Sequence, residues 1–117
     1  MPSHTHETVK VTCPWLGGCD IDIDVKLAPL IRQLWDQAIE TNACCQEARP
    51  GEACIEFPGT GDVENFLAVA PRNYEVDLET SDAIRDGKRH VRVRLLVYFP
   101  TKDIPRLVKA FAAVEGD

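Results

Sequence analysis

The stretch CDIDIDV, residues 19–25, sets three aspartates two apart among aliphatic side chains. Alternation of this kind marks a strand with one apolar face, Ile21, Ile23 and Val25, and one wet face, Asp20, Asp22 and Asp24. Just upstream, VKVTC (9–13) alternates in the same way, and PWLGG (14–18) supplies turn chemistry between the two. Residues 9–25 therefore read as a β-hairpin.

The aspartates have two readings. A Mg²⁺ or Ca²⁺ ion wants oxygen ligands converging on a point, and Asp22 and Asp24 are near enough in the chain to share one. A calcium loop of the DxDxDG kind also needs a glycine at its sixth position and a glutamate at its twelfth. Counted from Asp20, those positions hold Val25 and Ile31. The sharp turn and the closing carboxylate are both missing, so the sequence favours a solvated face paired with basic residues.

Downstream, LAPLIRQLWDQAIE (27–40) places Leu27, Leu30, Ile31, Leu34, Trp35, Ala38 and Ile39 on one stripe at helical spacing. Pro29 falls in the first turn, where its missing N–H costs nothing. TNACCQE (41–47) reads as a short strand, ARPGE (48–52) as a turn and ACIEFP (53–58) as a second strand. GTGD then opens a helix capped by Thr60 or Asp62, burying Val63, Phe66, Leu67 and Ala70 and stopped by Pro71. Residues 71–89 are too many for a bare loop. Within them YEVDLE (74–79) alternates, and Asp86-Gly87 is a turn signal. HVRVRLLVYF (90–99) is the strongest strand, with Val91, Val93, Leu95, Val97 and Phe99 toward the core and Arg92, Arg94 and Tyr98 away from it. A last helix, capped by Thr101 or Asp103, buries Ile104, Leu107, Val108 and Phe111.

This order contains the split βαββαβ plan of ferredoxin-like domains. The expected fold is α+β: an antiparallel sheet with helices on one face, an added N-terminal β-hairpin and a C-terminal helix. Residues 1–8 are expected as a flexible tail and 9–114 as a single domain. In that plan strand 20–25 lies beside strand 90–99, so Asp20, Asp22 and Asp24 share a face with Arg92 and Arg94.

The chain has 117 residues and is 44% hydrophobic, enough for one compact core. Thirteen basic against nineteen acidic residues leave a net charge of −6, which disfavours non-specific nucleic-acid binding. The basic run Arg85, Lys88, Arg89, Arg92 and Arg94 faces Glu75, Asp77 and Glu79 on the adjoining strand and reads as a solvated ribbon. No apolar run reaches the ~20 residues of a membrane span, and the polar start lacks a secretory signal core. A cytoplasmic setting follows as the expectation. Neither GxxxxGK[ST] nor GxGxxG occurs, so no cofactor is expected.

Five cysteines stand at 13, 19, 44, 45 and 54. In a reducing compartment they are expected as free thiols. Cys13 and Cys19 flank the hairpin turn with five residues between them, where structural zinc ligands favour about two to four. A zinc site there needs partners from Cys44, Cys45, Cys54, His4 or His6, at unrelated positions. If the hairpin closes, Cys13 and Cys19 face each other instead. In Cys44-Cys45 one thiol is expected in the core and one outside. A nucleophilic Cys45 needs a base, and the sequence offers only His90 inside the fold, with nothing to bring it near.

The run LAPLIRQLW-x3-IETNACCQE-x3-PGEACIEFP-x4-DVENFL resembles a family of small uncharacterised proteins of actinobacteria and their phages. Their pattern is LA-x-LI-x-LW-x2-GI-x-T-x2-SCQE, then PG-x-A-x-I-x-F and a helix ending in FL. The resemblance covers roughly residues 20–110. Ala38 stands where the pattern has Gly, and Cys44 where it has Ser, while Cys45, Gln46 and Glu47 match it. The strand end also bears a fainter likeness to the SSCSGR motif of the wybutosine-synthesis protein, which modifies transfer RNA.

Together these readings point first to a small binding protein, phage-derived by resemblance, that captures a host protein or a small ligand. Cys45, Gln46 and Glu47, with Arg92 and Arg94, are the expected ligand-binding residues, near the PG turn or on the open sheet face. The alternative is a thiol- or metal-dependent enzyme centred on Cys45, and Cys13, Cys19, Asp22 and Asp24 are the weaker metal candidates. Unpaired strand edges make a homodimer an expected assembly.

Overall fold

A computed structural model describes residues 6–15 and 18–115. His4, and Leu16 and Gly17 of the hairpin turn, lie outside the described residues. The class is α+β, with a two-stranded and a four-stranded antiparallel sheet and three α-helices. The hairpin pairs β1 (Thr8–Thr12) with β2 (Asp20–Asp24). The larger sheet contains β3 (Ala43–Arg49), β4 (Glu52–Phe57), β5 (Glu75–Arg85) and β6 (Lys88–Pro100), in the order β3-β4-β6-β5. The helices are α1 (Ala28–Asp36), α2 (Thr60–Val69) and α3 (Ile104–Glu115).

The strand order corrects one expectation. β4, not β2, lies beside β6. The hairpin satisfies its own ladder, and its wet face is balanced internally: Lys10 Nζ reaches Asp22 at 2.9 Å and Thr12 Oγ1 donates to Asp20 at 2.8 Å. Arg92 and Arg94 pair instead with Glu56 of β4, and Arg94 also with Glu79 of β5. A local cross-strand partner closes a shorter loop than a distant one, so the hairpin stands apart from the main sheet.

The core lies between the helices and one face of that sheet. Ala53, Ile55 and Phe57 of β4 alternate inward and pair with Phe99, Val97 and Leu95 of β6. Phe66 of α2 lies at the centre of an aromatic cluster, 5.3 Å from Phe57, 6.0 Å from Phe99 and 5.7 Å from Phe111 of α3 between ring centroids. Val11 and Ile23 bring the hairpin onto the same core, beside Trp35 of α1.

α1 stops earlier than its apolar stripe. Ala38 has φ +62°, its N–H bonds to the Trp35 carbonyl, and the Ile39 N–H bonds to the Leu34 carbonyl. That is a Schellman closure, with Ile39 folded back onto the core, and its left-handed position favours glycine. Neither Thr60 nor Asp62 caps α2, whose N-cap is Gly59; the Asp62 carboxylate accepts the Glu40 N–H at 3.0 Å, beyond the end of α1. Asp103, buried, accepts the Tyr74 hydroxyl at 2.9 Å and pairs with Arg72 at 3.2 Å.

Residues 71–89 do hold structure: β5 and β6 form a long ribbon turning at Asp86-Gly87. Both turn residues have positive φ, 52° and 75°, as the tight hairpin turn requires. Beyond Leu95 the ribbon leaves the body. Leu78, Ile84, Val91 and Val93 are 65, 77, 61 and 56% exposed, which corrects the expectation that Val91 and Val93 face the core.

Candidate functional site

β3 is an edge strand, and β2 passes beside it. Its pairing with β4 is regular at Cys45↔Cys54 and resumes only at Arg49↔Glu52, so a bulge lifts Gln46 to Ala48 out of the ladder. The freed groups bind three other segments. The Gln46 N–H donates to Asp24 Oδ2 at 2.9 Å, and the Gln46 carbonyl accepts the Thr101 hydroxyl at 2.7 Å. Gln46 Oε1 accepts the Lys26 N–H at 3.0 Å. The buried Gln46 is thus a clamp joining β2, the start of α1 and the end of β6.

Beside the clamp a cleft of about 860 Å³ opens between the end of β3, the Pro50-Gly51 turn and the start of α3. Gly51, Pro100, Ile104 and Pro105 line it, with Lys26 and Lys102 offset by Glu47 and Glu52. The Glu47 carboxylate accepts the Gly51 N–H at 3.4 Å, and the Gly51 carbonyl accepts the Thr101 N–H at 3.0 Å. Gly51, at φ +75° after Pro50, makes the sharp turn that forms this wall.

The thiols of the adjacent Cys44 and Cys45 lie in different surroundings. Cys44 packs against the core, where burial first, and the nearby Asp24 charge second, push its thiol up to about 12. Across the ladder burial likewise raises Cys54 to about 11. Both stay protonated at neutral pH and are poor nucleophiles. Cys45 instead meets His6 and Asp24: their donor atoms all lie within 4.8 Å of one another, each residue half-buried.

Arg92 and Arg94 lie elsewhere, on the sheet face that no helix covers. There the buried Glu56 takes Arg94 at 3.0 Å and Arg92 at 3.5 Å, with Asn42 donating at 3.4 Å. A buried carboxylate needs this compensation. Arg49 lies 3.6 Å above the Tyr98 ring and pairs with Glu52, Glu75 and Asp77. Cys45 and Arg94 line one shallow concavity of about 200 Å³ on this face. The structure therefore divides the expected ligand-binding set among a clamp, a cleft and an ion-paired face.

Among the described residues, only Asp24 of the weaker metal candidates joins a cluster. Asp22 is paired to Lys10, and Cys13 and Cys19 are free thiols, one buried and one exposed, opposite each other through a 2.8 Å backbone bond. His90 is on the exposed ribbon, opposite Ala83. The histidine beside Cys45 is His6. Sequence spacing carries no signal for it, because only the hairpin's return brings residue 6 to Asp24 and β3: the Val25 N–H bonds to the Glu7 carbonyl at 2.9 Å.

A stretch of 66 residues is 36% identical to "Uncharacterized protein R428" of Acanthamoeba polyphaga mimivirus, covering 54% of this chain and 34% of that protein. The chain thus spans about a third of the length of this relative. No protein-family model matches the chain, and no solved structure matches it. Among the described residues no helix is long and apolar enough to cross a membrane.

Proposed function

We propose that this chain is a small cytoplasmic binding protein that holds a small polar ligand in the cleft beside the Gln46 clamp. The single observation carrying this reading is the cleft itself. Its volume of about 860 Å³ falls within the roughly 300–1,000 Å³ of small-molecule sites. Its walls are fixed by the bulge, the turn and the strand-to-helix junction, and its lining combines Lys26 and Lys102, Glu47 and Glu52, and the apolar Pro100, Ile104 and Pro105. A host protein is the other class of occupant. A virus-associated setting is part of the same proposal and rests on the likeness to actinobacterial and phage proteins. Nucleotides, sugar phosphates and dicarboxylates, screened by thermal shift and native mass spectrometry, test it. At least one should bind and raise the melting temperature, and Lys26→Glu with Lys102→Glu should abolish the effect. A panel without binders, or binding unchanged in the double variant, overturns the reading.

A homodimer belongs to the same proposal. The exposed apolar residues Leu78, Ile84, Val91 and Val93 lie along the ribbon, with the ion pair Arg89–Asp82 among them. A two-stranded ribbon alone is marginal in water, and a second copy offers the same strip to cover it.

A second reading, a thiol- or metal-dependent enzyme centred on Cys45, is favoured by one observation, the convergence of His6 and Asp24 on that residue. Its thiol form predicts that Cys45 alkylates faster than an unfolded-chain thiol and that His6→Ala slows it.

A further inference from the structure

We infer that His6, Asp24 and Cys45 form a three-ligand site for a zinc-class divalent ion, with a fourth position open to solvent. Imidazole nitrogen, carboxylate oxygen and thiolate sulfur are the donor set zinc takes, and three protein ligands with one open position is its catalytic pattern. In a tetrahedral site, with ligands about 2.0–2.3 Å from the ion, neighbouring donors stand roughly 3.3–3.8 Å apart. The three donor atoms here lie within 4.8 Å of one another, so side-chain shifts of about 1 Å close them around an ion.

The ligands come from three places far apart in sequence: the residues before β1, the end of β2, and β3. The fold thus brings them together, whereas a local acidic run would arise from sequence alone. One of them is already held by a neighbour. Asp24 Oδ2 accepts the Gln46 N–H at 2.9 Å, the kind of outer hydrogen bond that orients a ligating carboxylate. Half-buried surroundings give an ion a route in and leave room for a water or a ligand atom.

Binding forms a sulfur–metal bond at Cys45, and the thiol proton leaves to solvent. The proposal deepens the Cys45-centred reading and rests on it for a thiol that solvent can reach; it does not require turnover.

The test is titration of the full chain with Zn²⁺, and with Co²⁺ as a spectroscopic probe. One equivalent should bind, with thiolate-to-cobalt charge-transfer absorption. His6→Ala, Asp24→Asn and Cys45→Ser should each weaken binding at least tenfold. Cys19→Ser and Cys44→Ala should leave it unchanged, and circular dichroism of every variant checks the fold. Absence of a stoichiometric site, or charge transfer that survives Cys45→Ser, overturns the proposal. Alkylation of the metal-free protein separates the two failures. Fast, His6-dependent alkylation without metal binding sinks the metal site and keeps the thiol reading; slow alkylation without metal binding sinks both.

Discussion

From Leu95 to Phe99, β6 lies between β4 and β5 beneath the helices, with Val97 and Phe99 buried. From Lys88 to Val93 the same strand pairs with β5 alone, and every residue is exposed. The alternation of Val91, Val93, Leu95, Val97 and Phe99 is unbroken across both halves. A period of two states which side chains share a face; it does not state whether anything covers that face. Cover depends on α2, α3 and β4, and β4 stops at Phe57, opposite Leu95. The covered end of the sheet also holds the clamp, the cleft and the Cys45 cluster, whereas the free end offers an apolar strip.

The largest expected effect is at the covered end. Phe99→Ala, in the aromatic cluster around Phe66, should lower the unfolding free energy by about 3–5 kcal/mol, read from urea denaturation. A loss under about 1 kcal/mol, no more than an ordinary single substitution, would show that the inner half of β6 is not core.

Alkaline pH should act next, and again at the covered end. The folded Cys44 thiol holds its proton to about 12 against an ordinary 9.0, with burial the leading cause. Above pH 9 the unfolded state therefore binds fewer protons than the folded one, and stability falls as pH rises. One such group contributes at most about 1.4 kcal/mol per pH unit. Cys44→Ala should flatten the decline between pH 9 and 12 in denaturation measured across that range. An unchanged slope would mean that the thiol ionises equally well folded.

Ala38→Gly should stabilise the protein by roughly 1 kcal/mol, since it removes a side chain from a left-handed position. A destabilised variant would deny that α1 ends in this closure.

The smallest effect on stability belongs to the free ribbon. Leu78→Ser with Val93→Thr should change unfolding by no more than about 0.5 kcal/mol while lowering the concentration-dependent mass seen by sedimentation. A large loss of stability would place these residues in a core after all.

Much of the fold was legible because a period marks which side chains share a face. The stripe of α1, the inward faces of β4 and α3, the ribbon within 71–89 and its Asp86-Gly87 turn are each local patterns. Strand order was not local. Opposite charges on CDIDIDV and on Arg92 and Arg94 suggested neighbours, yet each set found nearer partners, Lys10 and Thr12 for one and Glu56 and Glu79 for the other. The candidate site divided in the same way. Cys45, Gln46 and Glu47 stood out as a contiguous motif, but the bulge that follows Cys45 parts them into a cluster, a clamp and a cleft wall. His6 stood only among possible partners of a zinc site at Cys13 and Cys19, because its place beside Cys45 depends on the hairpin returning beside β3.

Hydrogen exchange along β6, resolved by residue on dilute protein, tests the division most directly. Amides from Leu95 to Phe99 should exchange at rates approaching global unfolding, and those from Arg89 to Val93 far faster. Equal protection along the whole strand would contradict a covered end and a free end on one continuous alternation.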